Sequence, residues 1–585
     1  MWRGPTALAR LATAVCATLV VAGLIIVPPP PGCIRLTVAA SNEKSALLAL
    51  IAKDYERRLP FVDGRCIEVQ VVRKPSGEAE EALARGWDER SDGPLPVIWS
   101  PAAKTWVALL ERHRSIAGLP PIAPPSNPVI VRSPLVIAML EPMARAMGWP
   151  TKDIGWSDVF DLARDPRGWG SLDHQEWGQF KLAKTSPAIS TSGLHALIAT
   201  YYAGKGTGVG VEIAPETIAF MRGVESSVVH YGDAVMTFLT DLLDCDNRRE
   251  ALKCVSAIAV EEKQVWDYNN GNPASDVTEN VVRRVPFVPL VAIYPREGTL
   301  IADHPFVVLN ATWVDDAERH AASSFLEYLQ GPDAQLRFKQ AALRGYDGDP
   351  GPEITPANRL DPTQPRRELS APVPSVVSSI QASWKQIRKR ARVLLVMDVA
   401  GSMGDVVGGT NRSKLDFAKE AAVAALDDFA GDDDVGLWSF SSASGAADKP
   451  YRELVPTGPI SQQKDQLRRK IAALQPEGAR KALYTTVDAA VNAMRAQFNS
   501  TRINAVVLLT DGANSDPANN DLNGLERSLR SQPDEAFVRV FTVGYGRQAD
   551  LTALAAIALA TRAGVYSSDD PRAIQKVLVA VISNF

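Results

Sequence analysis

The chain has 585 residues, 46% hydrophobic and 22% charged, with 63 Lys and Arg against 67 Asp and Glu for a net charge of −4. This mix excludes a disordered or collagen-like chain, and the length suits three or four compact units of roughly 150 residues. The longest basic stretch is Lys385-Gln386-Ile387-Arg388-Lys389-Arg390, so nucleic acid is not an expected partner, and six His with five Cys are too few and too scattered for a zinc module.

Arg3 and Arg10 precede an uncharged apolar run from Leu11 to Val27, which ends in Pro28-Pro29-Pro30-Pro31. The run is short for a membrane span and long for a signal-peptide core. Its positive flank places the N-terminus in the cytoplasm and the bulk of the chain outside. Without a small-x-small pattern after the run, residues 1–32 are expected to be a retained single-pass membrane helix. A cleaved signal and a lipoprotein signal ending at Cys33 are the alternatives.

Cys33 opens the apolar run Ile34 to Ala40, and Cys66 opens Ile67 to Val72. If these are adjacent parallel strands about 4.8 Å apart, both thiols lie at one end within bridging distance. Cys245 and Cys254 could close a local loop, and two disulfides suit an extracytoplasmic chain.

From Cys33 onward, strand-like runs alternate with helix-like segments. Strand 33–40 leads to a helix over 42–58, then strand 66–72, helix 77–85 and strand 97–99. The alternation predicts a parallel sheet wrapped by helices, and it restarts after about residue 150. The run Pro286 to Tyr294 reads as a strand returning to the first lobe. The Pro-rich stretch from Asp347 to Pro374 reads as a linker, within a connecting segment over 347–384.

Small hydroxyl residues stand at the strand-to-helix junctions: Ser41, Ser76, Ser100, and Ser190-Thr191-Ser192 before the apolar helix from His195. Free N–H groups at helix N-termini favour a polar or anionic ligand, and open parallel sheets bind ligands at the carboxyl ends of their strands. With Leu36-Thr37-Val38-Ala39-Ala40-Ser41, Trp99-Ser100-Pro101, Thr185-Ser186-Pro187 and Val265-Trp266-Asp267-Tyr268-Asn269, residues 33–346 resemble bacterial extracellular solute-binding proteins of the molybdate and sulfate type. The resemblance implies a two-lobed fold with Ser41, Ser76, Ser100, Ser190, Thr191 and Ser192 as cleft candidates for a small polar or anionic solute.

The third unit, residues 385–585, opens with the buried-strand run Val393 to Val396, ending in Met397-Asp398-Val399-Ala400-Gly401-Ser402-Met403. The run Ala505 to Leu509 ends in Thr510-Asp511-Gly512, and Ala536 to Val543 ends in Gly544-Tyr545-Gly546. Helical patterns cover 413–429, 460–474, 482–497 and 551–562. Two Asp placed directly after central strands face one crevice of a doubly wound sheet, and carboxylates with a Ser hydroxyl suit magnesium. In order and spacing this unit resembles a von Willebrand factor type A domain. That resemblance implies a metal site built from an Asp-x-Ser-x-Ser loop, a Thr and a further Asp. Asp398, Ser402 and Asp511 fit. Ala400 replaces one Ser, and the Thr position falls on Lys481 unless the register shifts to Thr485 or Thr486. Magnesium at this degenerate site is thus an expectation secondary to no cofactor at all, with the Lys481 ammonium in the ion's place, paired to Asp398 or Asp511.

No Gly-x-Ser-x-Gly elbow, Walker loop or His-Glu-x-x-His is present, and the six His are isolated. The expected function is therefore non-enzymatic: an extracytoplasmic, membrane-anchored protein mediating adhesion or assembly through a protein ligand at the C-terminal domain. A solute receptor serving a transporter is the alternative.

Overall fold

A computed structural model describes residues 32–277, 283–442 and 449–585. The expected anchor lies outside the described residues, apart from Gly32. Among the described residues no helix is long and apolar enough to cross a membrane.

The first lobe is a five-stranded sheet in the order Val307–Val308, Ile98–Ser100, Ile34–Ala40, Arg65–Arg73, Phe61–Val62. Its centre is the strand Ile34–Ala40, parallel to Arg65–Arg73 with Ile34 opposite Ile67. This strand is buried on both faces, which is why it reads as a continuous apolar run. The shared register sets Cys33 beside Cys66, and the two are bonded. The helix Asn42–Glu56 follows at once and packs on Arg65–Arg73.

The second lobe is built on the long strand Val131–Leu140, whose neighbours include Ala257–Glu261, Leu290–Ile293, Ile301–Ala302 and Arg344–Gly345. Leu182–Thr185 and Val228–Gly232 extend the sheet. The run expected to return to the first lobe at 286–294 does not. Leu290–Ile293 pairs antiparallel with Val131–Leu140 in the second lobe. The returning strand is Val307–Val308, antiparallel to Ile98–Ser100, two residues long and hidden from any periodicity argument. The second disulfide joins Cys245 to Cys254 at the end of the helix Val235–Asn247.

Residues 347–384 are packed rather than extended. Ile354 and Leu360 are buried, Leu369 N–H donates to Thr299 O, and the helix Pro374–Ile387 fills the end of the segment. That helix starts with Pro at its first turn, where a missing N–H costs nothing. It rests on Lys104–Ile116 of the first lobe and on Thr191–Ala203 and Pro215–Glu225 of the second.

The C-terminal domain is a six-stranded sheet in the order Tyr451–Pro459, Asp434–Phe440, Arg390–Asp398, Arg502–Thr510, Arg539–Tyr545, Val565–Ser568. Only the edge strand Tyr451–Pro459 runs antiparallel to its neighbour. The predicted helices appear as Lys414–Ala425, Ile460–Ala472, Leu483–Ala496 and Leu551–Ala560. This domain is docked on the other two lobes. Tyr231 N–H donates to Asn584 O at 2.9 Å, Lys389 N–H donates to the Tyr231 hydroxyl at 3.0 Å, and Lys576 Nζ donates to Ser91 O at 2.9 Å.

Candidate functional site

Two crevices gather the polar residues named from the sequence. The first is the seam between the lobes, where Ser41, Ser76, Ser100, Thr191 and Ser192 are buried and Ser190 is half-buried. Each hydroxyl is engaged within the protein. Ser41 Oγ accepts from Lys44 Nζ at 2.7 Å, Ser76 Oγ accepts from Ala102 N–H at 3.1 Å, and Ser100 Oγ donates to Pro305 O at 2.8 Å. Thr191 Oγ1 accepts from Trp106 Nε1–H at 2.8 Å, while Ser192 Oγ lies 3.0 Å from Thr185 Oγ1 and 3.1 Å from Ser190 Oγ.

The lobes also touch through their backbones. Gly77 N–H, in the first turn of the helix Ser76–Arg85, donates to Ile189 O at 2.9 Å. A Cβ on Gly77 would stand 2.0 Å from Ala188 O, so only glycine permits this approach. The first-lobe helix end expected to face a ligand is therefore covered by the second-lobe loop 186–190.

Charged groups not singled out in the sequence hold the centre of this seam. The buried Lys44 ammonium donates to Ser41 Oγ and to the carbonyls of Ser100 and Pro101, and it lies 3.2 Å from His304 Nδ1. His304, on the crossover between the lobes, faces Glu261 of the second lobe at 3.3 Å through Nε2. An ammonium on Nδ1 makes that nitrogen the acceptor and puts the ring proton on Nε2, aimed at the carboxylate. Burial lowers Lys44 to about 8 and raises Glu261 to about 8. Burial first, then the Lys44 charge, holds His304 down at about 3, so its ring is neutral. Asn42 Oδ1, Glu43 Oε2, Ser133 Oγ, His195 Nε2 and Glu261 Oε1 are buried without a hydrogen-bond partner among the described residues. One sequence signal pointed here: a Lys in the first turn of a helix opposes the helix dipole and asks for another reason to be there.

The second crevice lies at the carboxyl ends of Arg390–Asp398 and Arg502–Thr510, where the chain leaves adjacent strands in opposite directions. Asp398 is fully buried, accepting from Ala400 N–H at 2.8 Å and from Thr510 Oγ1–H at 2.7 Å. Burial raises its carboxyl to about 6 against the pull of these donors. Ser402 Oγ lies 2.8 Å from Asp511 Oδ1 and accepts from Lys481 Nζ at 2.7 Å. Lys481 Nζ stands 3.2 Å from Asp511 Oδ1, and Lys414 Nζ donates to Asp511 Oδ2 at 2.8 Å. Burial alone would raise Asp511. The Lys414 hydrogen bond and the Lys481 charge outweigh it and hold the carboxyl below its ordinary range. Thr485 and Thr486 lie elsewhere: Thr486 Oγ1 donates to Ala482 O inside its own helix, and Thr485 Oγ1 meets Asp516 and Asn519. Lys414 was not legible, because Ser413 and Asp416 form an ordinary capping box around it and only the fold brings it over Asp511.

These residues do not fit a magnesium ion. Both Asp511 oxygens and the Ser402 hydroxyl are taken by ammonium or hydroxyl groups, and two fixed positive charges repel a divalent cation that needs six oxygen ligands. Among the described residues no group of three or more His, Cys, Asp or Glu is placed to hold a metal ion.

The chain is similar to several known proteins. An uncharacterized protein of Mycobacterium tuberculosis (strain ATCC 25618 / H37Rv) is 24% identical over 521 residues, spanning 87% of this chain and 70% of the relative. Among solved structures, a periplasmic thiamin binding protein is similar with TM-score 0.39 and 10% identity, over 61% of this chain and 96% of that one. The periplasmic binding protein AfuA from Actinobacillus pleuropneumoniae gives TM-score 0.40 and 12% identity, over 62% and 100%. A von Willebrand factor type A structure from Catenulispora acidiphila gives TM-score 0.27 and 19% identity, over 34% of this chain and 42%, less than half, of its own. The family described as von Willebrand factor type A domain matches residues 393–579. With the family described as bacterial extracellular solute-binding protein matching residues 36–344, the chain belongs to that family and joins its two lobes to a von Willebrand factor type A domain.

Proposed function

We propose that this is a non-enzymatic, extracytoplasmic protein, anchored through residues 1–32, whose C-terminal domain docks a protein ligand in adhesion or assembly without a divalent cation. The observation that supports this is the pair of ammonium groups on Asp511, Lys481 at 3.2 Å and Lys414 at 2.8 Å, where the family would place a metal. Two disulfides support the compartment. The test is retention of envelope proteins on the immobilised chain, in magnesium and in EDTA. Equal retention is expected; retention abolished by EDTA overturns the proposal.

A second reading, a receptor delivering a polar solute to a transporter, is favoured by the seam's unpartnered oxygens. Glu43 Oε2, Glu261 Oε1 and Asn42 Oδ1 are buried oxygens that a polar solute would satisfy, and burial raises both carboxyls, so either can meet the solute as an acceptor or as an O–H donor. Calorimetry of the chain against amines, sugars and oxyanions tests it, and absence of heat across the panel ends it.

A further inference from the structure

Two segments are tied together at the end of the first sheet where its parallel strands begin. Phe61 stands opposite Cys66 in the hairpin, Ile67 N–H donates to Pro60 O at 3.2 Å, and Cys66 is bonded to Cys33. Arg65, in the same hairpin, donates from Nε to Gly32 O at 2.8 Å and from Nη2 to Cys33 O at 3.2 Å. The segment around Pro60 is therefore fixed, by a covalent bond and by hydrogen bonds, to the point at which the chain arrives from its apolar amino-terminal run.

Two large apolar side chains stand out from this segment. Leu59, at 76% exposure, is the most exposed large hydrophobic residue among those described, and Phe61 is 66% exposed. Leu59 has φ +51°, the left-handed region in which a chain leaves a helix and in which Gly or Asn is favoured, so local structure gives no reason for a Leu. The helix Lys104–Ile116 begins beyond the carboxyl end of Ile98–Ser100 and returns to the start of that strand, where Leu309 N–H donates to Val97 O and Asn310 N–H to Ile122 O. Ile116 and Leu119 are exposed at that same end of the sheet. The charges beside the hairpin are balanced: Arg57 pairs with Asp54, Arg58 with Asp333, Arg35 with Glu68, and His320 faces Asp63. What this end of the lobe offers a partner is apolar surface rather than net charge.

The position of the amino-terminal run selects the partner. Only Pro28–Pro31 separate Leu11–Val27 from Gly32, a span of at most about 14 Å even when fully extended. Apolar side chains fixed beside Gly32 then lie within reach of the interfacial layer of a bilayer that holds the run, where they gain by leaving water.

We propose that Leu59 and Phe61, with Ile116 and Leu119 at the same end, rest in the interfacial layer of the membrane, so that the first lobe stands on the bilayer with the carboxyl ends of its parallel strands turned away from it. The proposal rests on the anchoring through residues 1–32 proposed above.

The test uses the full chain reconstituted in phosphatidylcholine vesicles, with a photoreactive benzophenone side chain placed singly at Leu59, Phe61 or Leu119. Val209 of the second lobe and Val406 of the C-terminal domain, 70% and 66% exposed, serve as controls. Flotation of the vesicles reads the anchoring independently of the photochemistry. After irradiation, phospholipid adducts at Leu59 and Phe61 should exceed those at the controls by at least about tenfold, the factor given by about 1.4 kcal/mol of apolar transfer. A chain that floats with the vesicles yet forms no lipid adduct at Leu59 or Phe61, or forms adducts equally at all positions, overturns the proposal and leaves the anchor standing. A chain that does not float removes the anchor, and the proposal with it.

Discussion

Replacing Lys481 by Met removes one of the two positive charges on Asp511 and leaves the other. The side chain of Lys481 is only 12% exposed and that of Asp511 is 0% exposed, so solvent cannot take over the lost contact. Losing a hydrogen-bonded charge contact at a buried site costs about 1.5–3 kcal/mol, with Lys414 at 2.8 Å preventing the larger penalty of a bare carboxylate. For the C-terminal domain this corresponds to a fall in Tm of about 3–12 °C at pH 7, read by calorimetry. The pH dependence has a definite sign. Asp511 is depressed in the folded chain, so its contribution is present above its unfolded value and is lost as the pH falls through the folded one. In Lys481→Met the folded value moves back towards the ordinary range, and acid destabilisation begins at higher pH. Magnesium uptake checks the same geometry. Ala400→Ser with Lys481→Thr restores two oxygens but leaves Lys414 on Asp511, so uptake is expected only when Lys414→Ala is added. Tight magnesium binding by the unmodified chain, or an unchanged melting curve for Lys481→Met, would refute the reasoning.

Three further outcomes are expected. Asp398 is raised to about 6, so the folded domain is favoured below about pH 4 and loses about 2–3 kcal/mol as the pH rises through 6. Asp398→Asn should remove that slope, and melting curves between pH 4 and 8 that differ from the unmodified chain by a constant would contradict it. Reducing Cys33–Cys66, which spans 33 residues, should cost the first lobe about 3–4 kcal/mol in the chain-entropy model; mass spectrometry finding free thiols at these positions in the untreated protein rules this out. Gly77→Ala drives a methyl group into Ala188 O and should wedge the lobes apart at a cost of about 1–3 kcal/mol, visible as a larger radius of gyration in solution scattering. An unchanged radius and Tm would mean that the contact does not hold the seam shut.

Local sequence was enough to place the strands of the two sheets that open each unit. Ile34–Ala40 and Arg390–Asp398 are buried on both faces, and a strand hidden on both sides must be apolar throughout, which a linear reading detects. The order of strand endings in the C-terminal domain carried Asp398, Ser402 and Asp511 to one crevice for a related reason, whereas Lys481, in the loop between the helices Ile460–Ala472 and Leu483–Ala496, was placed there only by the family resemblance. In a parallel sheet every strand ends on the same side, so a residue just after a strand has a known address. The two cysteine pairs followed from strand register and proximity in the chain.

What required the tertiary structure were contacts made by long side chains and by very short elements. Val307–Val308 is too brief to show a period, and it, rather than Leu290–Ile293, completes the first sheet. The junction hydroxyls lie along the seam, but their partners are Lys44, Ala102, Pro305 and Trp106, which no spacing rule selects. Lys414 reaches Asp511 across 97 residues of chain, and Arg539 meets Asp241 and His230 only because the C-terminal domain packs on the second lobe. Periodicity encodes which face of an element is buried; it does not encode which charge, arriving from elsewhere in the chain, will be buried against it.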